Sequence, residues 1–430
     1  MIMTKTDTPM SGLTRRGALM GAAATLAAAK AAFPSGAHAA GAGPEVAKAR
    51  LGFIALTDSS PLIIAKERGL FAKYGLPDVE VTKQASWAAT RDNLVLGAER
   101  GGIDGAHILT PMPYLMTTGT ITGGAPTPMY ILARLNTNGQ GISVGNDLKS
   151  VKVGLNSAGA KAKFLQMKAA GNIAKVAMTF RGGTHDLWIR YWLAAGGINP
   201  DVDVSTIVIP PPQMVANMKA GTQDAFCVGE PWNGQLVNQK VGYTACLTSE
   251  LWMNHPEKAL GMRASWVDRY PRAAQAITAA VQEAQMWCDK ASNLPQMCSI
   301  VSGRQYINVP MGDILPRLQG TVDYGDGRTL KNSPHRMKFW ADNASFPFKS
   351  HDLWFLTEDI RWGVLAQKTN TKALVDKVNR SDIWRAAAKS IGQSGPAGDS
   401  RGVERFFDGK VFDPANPGAY LASQPIKKLV

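Results

Sequence analysis

Residues 175–199, KVAMTFRGGTHDLWIRYWLAAGGIN, contain the pattern that decides the predicted fold. The largely apolar run 175–180 predicts a β-strand. An arginine and two glycines form a short turn that connects this strand with a predicted helix. That helix is mostly apolar and ends at the glycine pair 196–197. A strand that leads through a tight turn into a helix is the repeating unit of parallel sheets covered by helices. The stretch therefore predicts an α/β fold.

The alternation of strand and helix occurs in two successive series, separated by the Gly-Gln-Gly segment 139–141. A chain of 430 residues is also too long for one ordinary domain. Two lobes with a cleft between them are therefore expected. The predicted strands are 50–56, 79–82, 105–109 and 129–133 in the first series, and 151–155, 175–180, 203–209 and 224–228 in the second.

The predicted boundaries place the first part of lobe 1 at residues 45–138 and lobe 2 at residues 139–244. Residues 245–430 are predicted to return to lobe 1 and to end in a C-terminal extension. Because residues 301–430 show no functional motif, we expect them to pack around lobe 1. Ligands of such sheets bind beyond the carboxyl ends of the strands, where loops lead into helices, so the site is predicted to lie in the cleft.

The first 39 residues resemble a twin-arginine signal peptide. Two adjacent arginines, 15–16, precede an alanine-rich run, 18–32, and a small-x-small cleavage site, 37–39. A disordered basic tail is the alternative, and a membrane-spanning helix is disfavoured because the apolar run is short and Lys30 interrupts it. No cysteine directly follows the cleavage site to carry a lipid. We therefore expect a soluble periplasmic protein without an anchor.

The four cysteines, Cys227, Cys246, Cys288 and Cys298, form no CxxC pair, so zinc or redox chemistry has little support. Cys288 and Cys298 could pair in an oxidising compartment, although buried free thiols are the favoured reading. No metal and no cofactor are predicted.

The charge of the chain favours an anionic ligand. It has 47 Lys and Arg against 33 Asp and Glu, a formal net charge of +14. Excess positive charge raises the local concentration of anions and speeds their arrival. A basic surface without a specific ligand is the alternative. The basic residues are scattered and form no long run, which argues against nucleic acid as a partner.

The turn inside the opening stretch, Gly182-Gly183-Thr184-His185, is the first candidate site. Glycines let the backbone turn sharply and approach a ligand, and Thr184 is a suitable helix N-cap. The first N–H groups of a helix have no partner inside it and attract a small anion. His185 would add a ring N–H. The alternative is an ordinary strand-to-helix turn with His185 in a surface hydrogen bond.

The family resemblance rests on long stretches spread from about residue 50 to the end of the chain, namely 53–58, 85–92, 104–113, 138–142, 182–188, 210–217, 224–232, 250–258 and 350–363. These stretches resemble the nitrate/bicarbonate-binding proteins of ABC importers. The resemblance implies a two-lobed periplasmic binding protein of the type II-like class, a C-shaped clamp with its ligand cleft between the lobes. The chain departs from the family pattern at Arg181, where a proline is usual, and between Gly154 and Gly171, where it is longer.

The family's ligand pocket falls on residues that this chain shares. The resemblance implies that Trp87, Gln140 and the loop residues 182–185 bind the ligand. It also implies that position 258 separates nitrate binders, which have lysine there, from bicarbonate binders, which have glutamate and a calcium ion. Lys258 therefore indicates nitrate. Glu257 stands next to it, so a shift of one residue in the match would reverse that reading.

Nitrate is flat, carries one charge and only accepts hydrogen bonds, so its site is predicted to consist of donors alone. The predicted donors are Trp87, Gln140, His185, Lys258 and the backbone N–H groups of 182–185. Each side chain also has a plainer reading: Trp87 as a core residue, Gln140 as a turn residue and Lys258 as a solvated charge.

The leading hypothesis is a periplasmic receptor, expected to be a monomer, that binds nitrate or nitrite and delivers it to an inner-membrane ABC permease. The alternatives are a bicarbonate-binding transport protein and a nitrate sensor that holds a regulatory partner. An enzyme is the weakest hypothesis. His185 and Glu230 could serve as acid and base, but no set of nucleophile, base and orienting residue is visible.

Overall fold

The computed structural model describes residues 43–428. The predicted signal peptide, 1–39, lies outside the described residues. Within residues 43–428, no helix has the length and apolar character that a membrane span requires.

The strands alternate with helices along most of the chain, as the sequence predicts, but the predicted strand 151–155 is not observed, and the strand in this part of the chain is Gln140–Gly145. They are β1 (Lys48–Phe53), β2 (Asp78–Lys83), β3 (Gly105–Leu109), β4 (Met129–Arg134), β5 (Gln140–Gly145), β6 (Lys175–Met178), β7 (Ser205–Val208), β8 (Ala225–Gly229), β9 (Gly242–Leu247), β10 (Lys258–Arg263), β11 (Val322–Asp323), β12 (Thr329–Leu330), β13 (Glu404–Arg405) and β14 (Val411–Phe412).

The helices connect the strands and form most of the regular structure in the second half of the chain. They are α1 (Ser60–Glu67), α2 (Leu70–Lys73), α3 (Trp87–Leu96), α4 (Met112–Thr117), α5 (Ala158–Ala169), α6 (Thr184–Ala195), α7 (Met214–Lys219), α8 (Trp232–Asn238), α9 (Thr248–Leu251), α10 (Ala264–Arg269), α11 (Pro271–Cys288), α12 (Leu294–Val301), α13 (Leu315–Leu318), α14 (Lys349–Arg361), α15 (Thr371–Val378), α16 (Ser381–Ser390) and α17 (Pro417–Ala422).

Two five-stranded sheets confirm the predicted α/β class. The first has the order β2-β1-β3-β10-β4, with β1 parallel to β2 and β3, and β10 antiparallel to β3 and β4. The second has the order β7-β6-β8-β5-β9, with β6 parallel to β7 and β8. The chain therefore leaves the first sheet after β4, builds the second, and returns through β10.

The two connections between the sheets lie side by side, and a third segment joins them. Thr137, in the outgoing connection, forms bridges with Pro256 in the returning connection and with Lys338. The Thr137 N–H donates to the Lys338 carbonyl at 2.9 Å, and the Lys338 N–H donates back at 3.1 Å. Gln140 and Lys258 stand immediately beyond these connections, so the crossover places the two residues close together.

The prediction that residues 301–430 pack around lobe 1 is wrong for part of this segment. Helix α14 contributes Leu356 to the core of the first sheet and Trp354 and Phe355 to the core of the second. Further along, Phe406 and Tyr420 also join the core of the second sheet. The C-terminal segment therefore contacts both cores, because the apolar residues of α14 lie on more than one side of the helix.

Cys227, Cys246, Cys288 and Cys298 are buried free thiols. Burial raises the pKa of each thiol, to about 12 for Cys298 and well above 9 for the others. These thiols are therefore protonated at neutral pH and poor nucleophiles.

His351, on α14, predicts a pH dependence of stability. Burial and the positive charge of Arg401 lower the pKa of His351 to about 3, whereas a histidine in an unfolded chain titrates near 6.5. Between these values the unfolded chain binds a proton that the folded chain does not, so falling pH destabilises the fold. We expect His351→Phe, in a site lined by Trp252 and Phe348, to remove this loss.

The expected signature is a difference in unfolding free energy between variant and wild type that grows by about 1.4 kcal/mol per pH unit as the pH falls from about 6.5 to about 4. Urea unfolding of both chains across this range measures it. A difference that stays constant with pH would show that His351 is charged in the folded protein.

Candidate ligand-binding site

The candidate site lies where the two sheets meet at the connections between them. Asp58 follows β1, His107 lies on β3, Gln140 opens β5, His185 lies in the first turn of α6 and Lys258 opens β10. Each of these side chains is buried, with 1% or less of its surface exposed. The cluster therefore brings residues that are far apart in sequence into one dehydrated volume.

Lys258 is the cation of the cluster. Its Nζ lies 2.7 Å from Glu257 Oε1 and 2.9 Å from Asp58 Oδ2. The same Nζ lies 5.9 Å from the centre of the Trp87 ring. Lys258 is fully buried, which excludes the reading of this residue as a solvated charge.

Gln140 connects the first sheet with helix α6. Its amide Nε2 donates to Asp58 Oδ2 at 3.0 Å, and its Oε1 lies 2.6 Å from His185 Nε2. The amide oxygen can only accept, so His185 Nε2 is assigned the proton. His185 Nδ1 then accepts from the Thr179 hydroxyl at 2.5 Å. Gln140 is thus part of a buried network rather than an exposed turn. The ring N–H that His185 is predicted to offer a ligand is taken by Gln140, and the alternative of a surface hydrogen bond is wrong because His185 is buried.

Trp87 supplies a donor that the protein does not use. It opens helix α3, is fully buried, and its ring lies 5.4 Å from that of His107. Its Nε1 has no hydrogen-bond partner among residues 43–428. A buried N–H without a partner costs about 1–3 kcal/mol, so this group favours an acceptor brought by a ligand.

The glycine loop has the tight geometry that its sequence predicts. Gly182 has φ of 72°, and a Cβ built on it would lie 2.8 Å from a methyl group of Val364. Its N–H donates to Asp186 Oδ2 at 2.9 Å, and the Gly183 N–H donates to the Phe180 carbonyl at 3.0 Å. Both glycine N–H groups are therefore engaged within the protein, because the first-turn carboxylate of Asp186 takes one of them.

The predicted N-cap role of Thr184 is wrong. Helix α6 has Gly183 at its N-cap, and the Thr184 hydroxyl donates to Glu257 Oε1. The buried carboxylate of Glu257 also accepts from Trp188 Nε1 at 3.0 Å. Thr184 therefore helps to hold the partner of Lys258. The N–H groups of Thr184 and His185, in the first turn, have no partner inside the helix.

The prediction of a site made of donors alone is wrong for this cluster, since the carboxylates of Asp58 and Glu257 belong to it. A buried ammonium without a counter-charge would be costly, and these carboxylates supply that charge. Asp58 could have been found from the sequence, because it follows β1 at the carboxyl end where ligands bind. Glu257 and Lys258 both lie in the cluster. The site therefore contains both candidates for the position that is predicted to separate nitrate binders from bicarbonate binders.

The pKa shifts show which groups carry charge. Burial opposes ionisation of Asp58, but Lys258 and His107 hold the pKa of this carboxyl well below its ordinary value. Burial likewise opposes the charge on Lys258, but Asp58 and Glu257 raise its pKa above 10.5. Burial raises the pKa of Glu257, although Lys258 partly counters it. Lys258 and Asp58 are therefore charged at neutral pH.

The two histidines of the cluster are neutral at pH 7. Burial and the charge of Lys258 lower the pKa of His185 well below 6.5. Burial also lowers the pKa of His107, although Asp58 opposes the shift. Within residues 43–428 no group of three His, Cys, Asp or Glu side chains is arranged to hold a metal ion. The arrangement is suited to holding a small polar ligand in a dry, preorganised setting.

Comparison with known proteins identifies relatives of this chain. The NMT1-like family model matches residues 42–302. The chain is 63% identical over 399 residues to the nitrate/nitrite binding protein NrtA of Synechococcus elongatus, covering 92% of this chain and 90% of that protein. It is 45% identical to the bicarbonate-binding protein CmpA of a Synechococcus species, covering 89% and 88%. Among solved structures, the periplasmic nitrate-binding protein NrtA from Synechocystis PCC 6803 matches with a TM-score of 0.87 and 61% identity, covering 90% of this chain and 100% of that one.

Proposed function

The chain belongs to the NMT1-like family and, within it, to the nitrate/nitrite-binding proteins, and on this basis we propose that it is the periplasmic solute-binding protein of an ABC importer for nitrate. In this role it closes around the ion and delivers it to a membrane permease. The observation that carries the proposal is that the buried ammonium of Lys258 lies 5.9 Å from the centre of the Trp87 ring, whose N–H has no partner among residues 43–428.

These two groups suit a flat monovalent oxyanion. An ammonium has three N–H donors, and Lys258 directs two of them at Asp58 and Glu257, so one donor is left. Trp87 Nε1 adds another. An ion held between them accepts from both. Charge-assisted hydrogen bonds contribute about 1.5–3 kcal/mol each. Together with the backbone N–H groups in the first turn of α6, this favours an affinity near micromolar, or about −8 kcal/mol.

Bicarbonate is the competing ligand, and one observation favours it. Its O–H needs an acceptor, and the buried carboxylates of Asp58 and Glu257 are acceptors. Three considerations favour nitrate. First, Lys258 occupies the position where the family resemblance implies glutamate in bicarbonate binders. Second, both carboxylates already accept several hydrogen bonds. Third, the chain is 63% identical to the nitrate/nitrite relative and 45% identical to the bicarbonate relative.

Isothermal calorimetry tests the proposal. Titrations with nitrate, nitrite, bicarbonate and cyanate are expected to give heat with nitrate at micromolar concentrations. Bicarbonate, with or without calcium, is expected to bind far more weakly. Absence of heat with millimolar nitrate would refute nitrate binding. Cell fractionation addresses the sensor alternative, because recovery in the cytoplasm rather than the periplasm would favour a regulatory role.

Trp87→Phe separates ligand binding from folding. The variant keeps an aromatic ring in the buried site, but it removes the N–H that has no partner among residues 43–428 and part of the indole volume. We expect nitrate affinity to fall about 10- to 100-fold, while the unfolding free energy falls by only about 1–2 kcal/mol because the smaller ring leaves a cavity. Calorimetry and urea unfolding measure the two quantities. Equal affinity in wild type and variant would remove Trp87 from the ligand-binding set.

A further inference from the structure

One surface of the protein carries an excess of positive charge. From residue 147 to residue 185 the chain has seven lysines and arginines and one acidic residue, Asp147. Five of these lysines are exposed and define the basic surface, namely Lys149, Lys152, Lys161, Lys168 and Lys175.

The surface is continuous across two elements. The short 3-10 helix Asn146–Val151 packs against α5, where a Cβ on Gly159 would lie 2.7 Å from the Val151 carbonyl oxygen. On α5, Lys161, Leu165 and Lys168 are spaced four and three residues apart, so they share one face of the helix. Leu165 is 41% exposed, which places an apolar side chain between two lysines.

The five lysines of this surface are not held in ion pairs with other described residues. Within residues 43–428 none of the five forms an ion pair, and Lys168 Nζ donates to the uncharged Val202 carbonyl. Elsewhere, Lys73 lies 2.7 Å from Glu283 and Lys349 lies 2.9 Å from Asp376. Asp147 lies on the same 3-10 helix as Lys149, and Asp326 lines a cavity with Lys149 and Lys152, but neither forms an ion pair with the five lysines. The surface therefore keeps an excess of positive charge that faces solvent.

We propose that the basic surface docks on the anionic lipid headgroups of the membrane that holds the importer. Lysines near an anionic leaflet are each attracted to it, and an exposed leucine among them inserts at the interface. This contact would concentrate the loaded protein at the membrane and shorten its search for the permease. The inference rests on the proposed periplasmic function, because only there does the protein serve a membrane importer.

Co-sedimentation of the mature chain with lipid vesicles tests the proposal. At low salt we expect binding to vesicles with about one third phosphatidylglycerol and no binding to pure phosphatidylcholine. Each lysine is expected to raise the affinity for anionic vesicles about fivefold. The triple variant K149E/K152E/K161E is therefore expected to bind these vesicles at least about 100-fold more weakly than wild type. Raising the salt is expected to weaken wild-type binding, because exposed charges are screened.

A matched control carries the same change of charge elsewhere. Lys66, Lys377 and Lys389 are exposed lysines outside the basic surface, and K66E/K377E/K389E is expected to bind anionic vesicles within a few-fold of wild type. Equal loss in both triple variants would show a general charge effect and overturn the proposal. Failure of the wild type to bind anionic vesicles would do the same.

Two further arms separate this proposal from others. Nitrate calorimetry on K149E/K152E/K161E is expected to match wild type, which shows that the variant is folded and that its ligand site is intact. If wild type binds no nitrate but still binds anionic vesicles, the proposed function fails and the lipid contact stands. Binding to native inner-membrane vesicles that disappears after protease treatment of those vesicles would identify a protein partner and contradict a lipid contact.

Discussion

Lys258→Glu is expected to abolish nitrate binding, with a loss of affinity of about 1,000-fold or more. The substitution replaces the cation of the cluster by a third carboxylate beside Asp58 and Glu257. Removing one partner of a buried ion pair costs about 3–5 kcal/mol, and a negative ion would then meet three acceptors in a dry site. Calorimetry of nitrate against the purified variant measures the effect.

Lys258→Met is the control for this experiment. Methionine keeps most of the apolar stem of lysine and adds no charge, so it tests the ammonium without adding repulsion. We expect this variant to fold more stably than Lys258→Glu and still to bind nitrate about 100-fold more weakly than wild type. If Lys258→Met kept wild-type affinity, the ammonium would have no part in binding and the assigned site would be wrong.

Trp354→Ala is expected to lower the unfolding free energy by about 3–5 kcal/mol, the cost of deleting a large buried aromatic side chain. Trp354 is fully buried and stacks on Trp188, with ring centres 4.8 Å apart. It also contacts Trp252 and Phe406, at 5.2 and 5.5 Å. Urea unfolding of variant and wild type measures the loss.

The same substitution is expected to weaken nitrate binding modestly. Trp188, which stacks on Trp354, donates to Glu257 Oε2 at 3.0 Å, and Glu257 in turn holds Lys258. Loosening the stack therefore relaxes a support of the ligand site. Trp340→Ala, at a partly exposed ring, is the control, and we expect a smaller loss of stability there. Equal losses at Trp340 and Trp354 would contradict the account of the aromatic core.

The fold class could be predicted from local pattern because strand and helix periods differ and the turns between them are marked by glycine. The predicted strand 175–180 is observed as Lys175–Met178, and the predicted helix begins at Thr184. The place of the C-terminal segment could not be predicted. The contact of α14 with both cores depends on tertiary packing between distant segments, which no periodic pattern in that region reveals.

The convergence of the site was partly predictable. Trp87, Gln140, His185 and Lys258 come together as the family resemblance implies. The carboxylates of Asp58 and Glu257 were missed, because the prediction considered only the donors that nitrate requires. A buried ammonium also requires a counter-charge from the protein. The engagement of the glycine N–H groups was missed for a similar reason, since Asp186 is a competing acceptor only when the loop is folded. The ligand-binding roles of these residues stay predictions.

The most direct test of the central claim is a crystal structure of the wild-type chain grown with nitrate. The account predicts a flat ion in the buried cluster, within about 3 Å of both Trp87 Nε1 and Lys258 Nζ. Nitrate bound elsewhere, with the Trp87 indole N–H still lacking a partner, would contradict it.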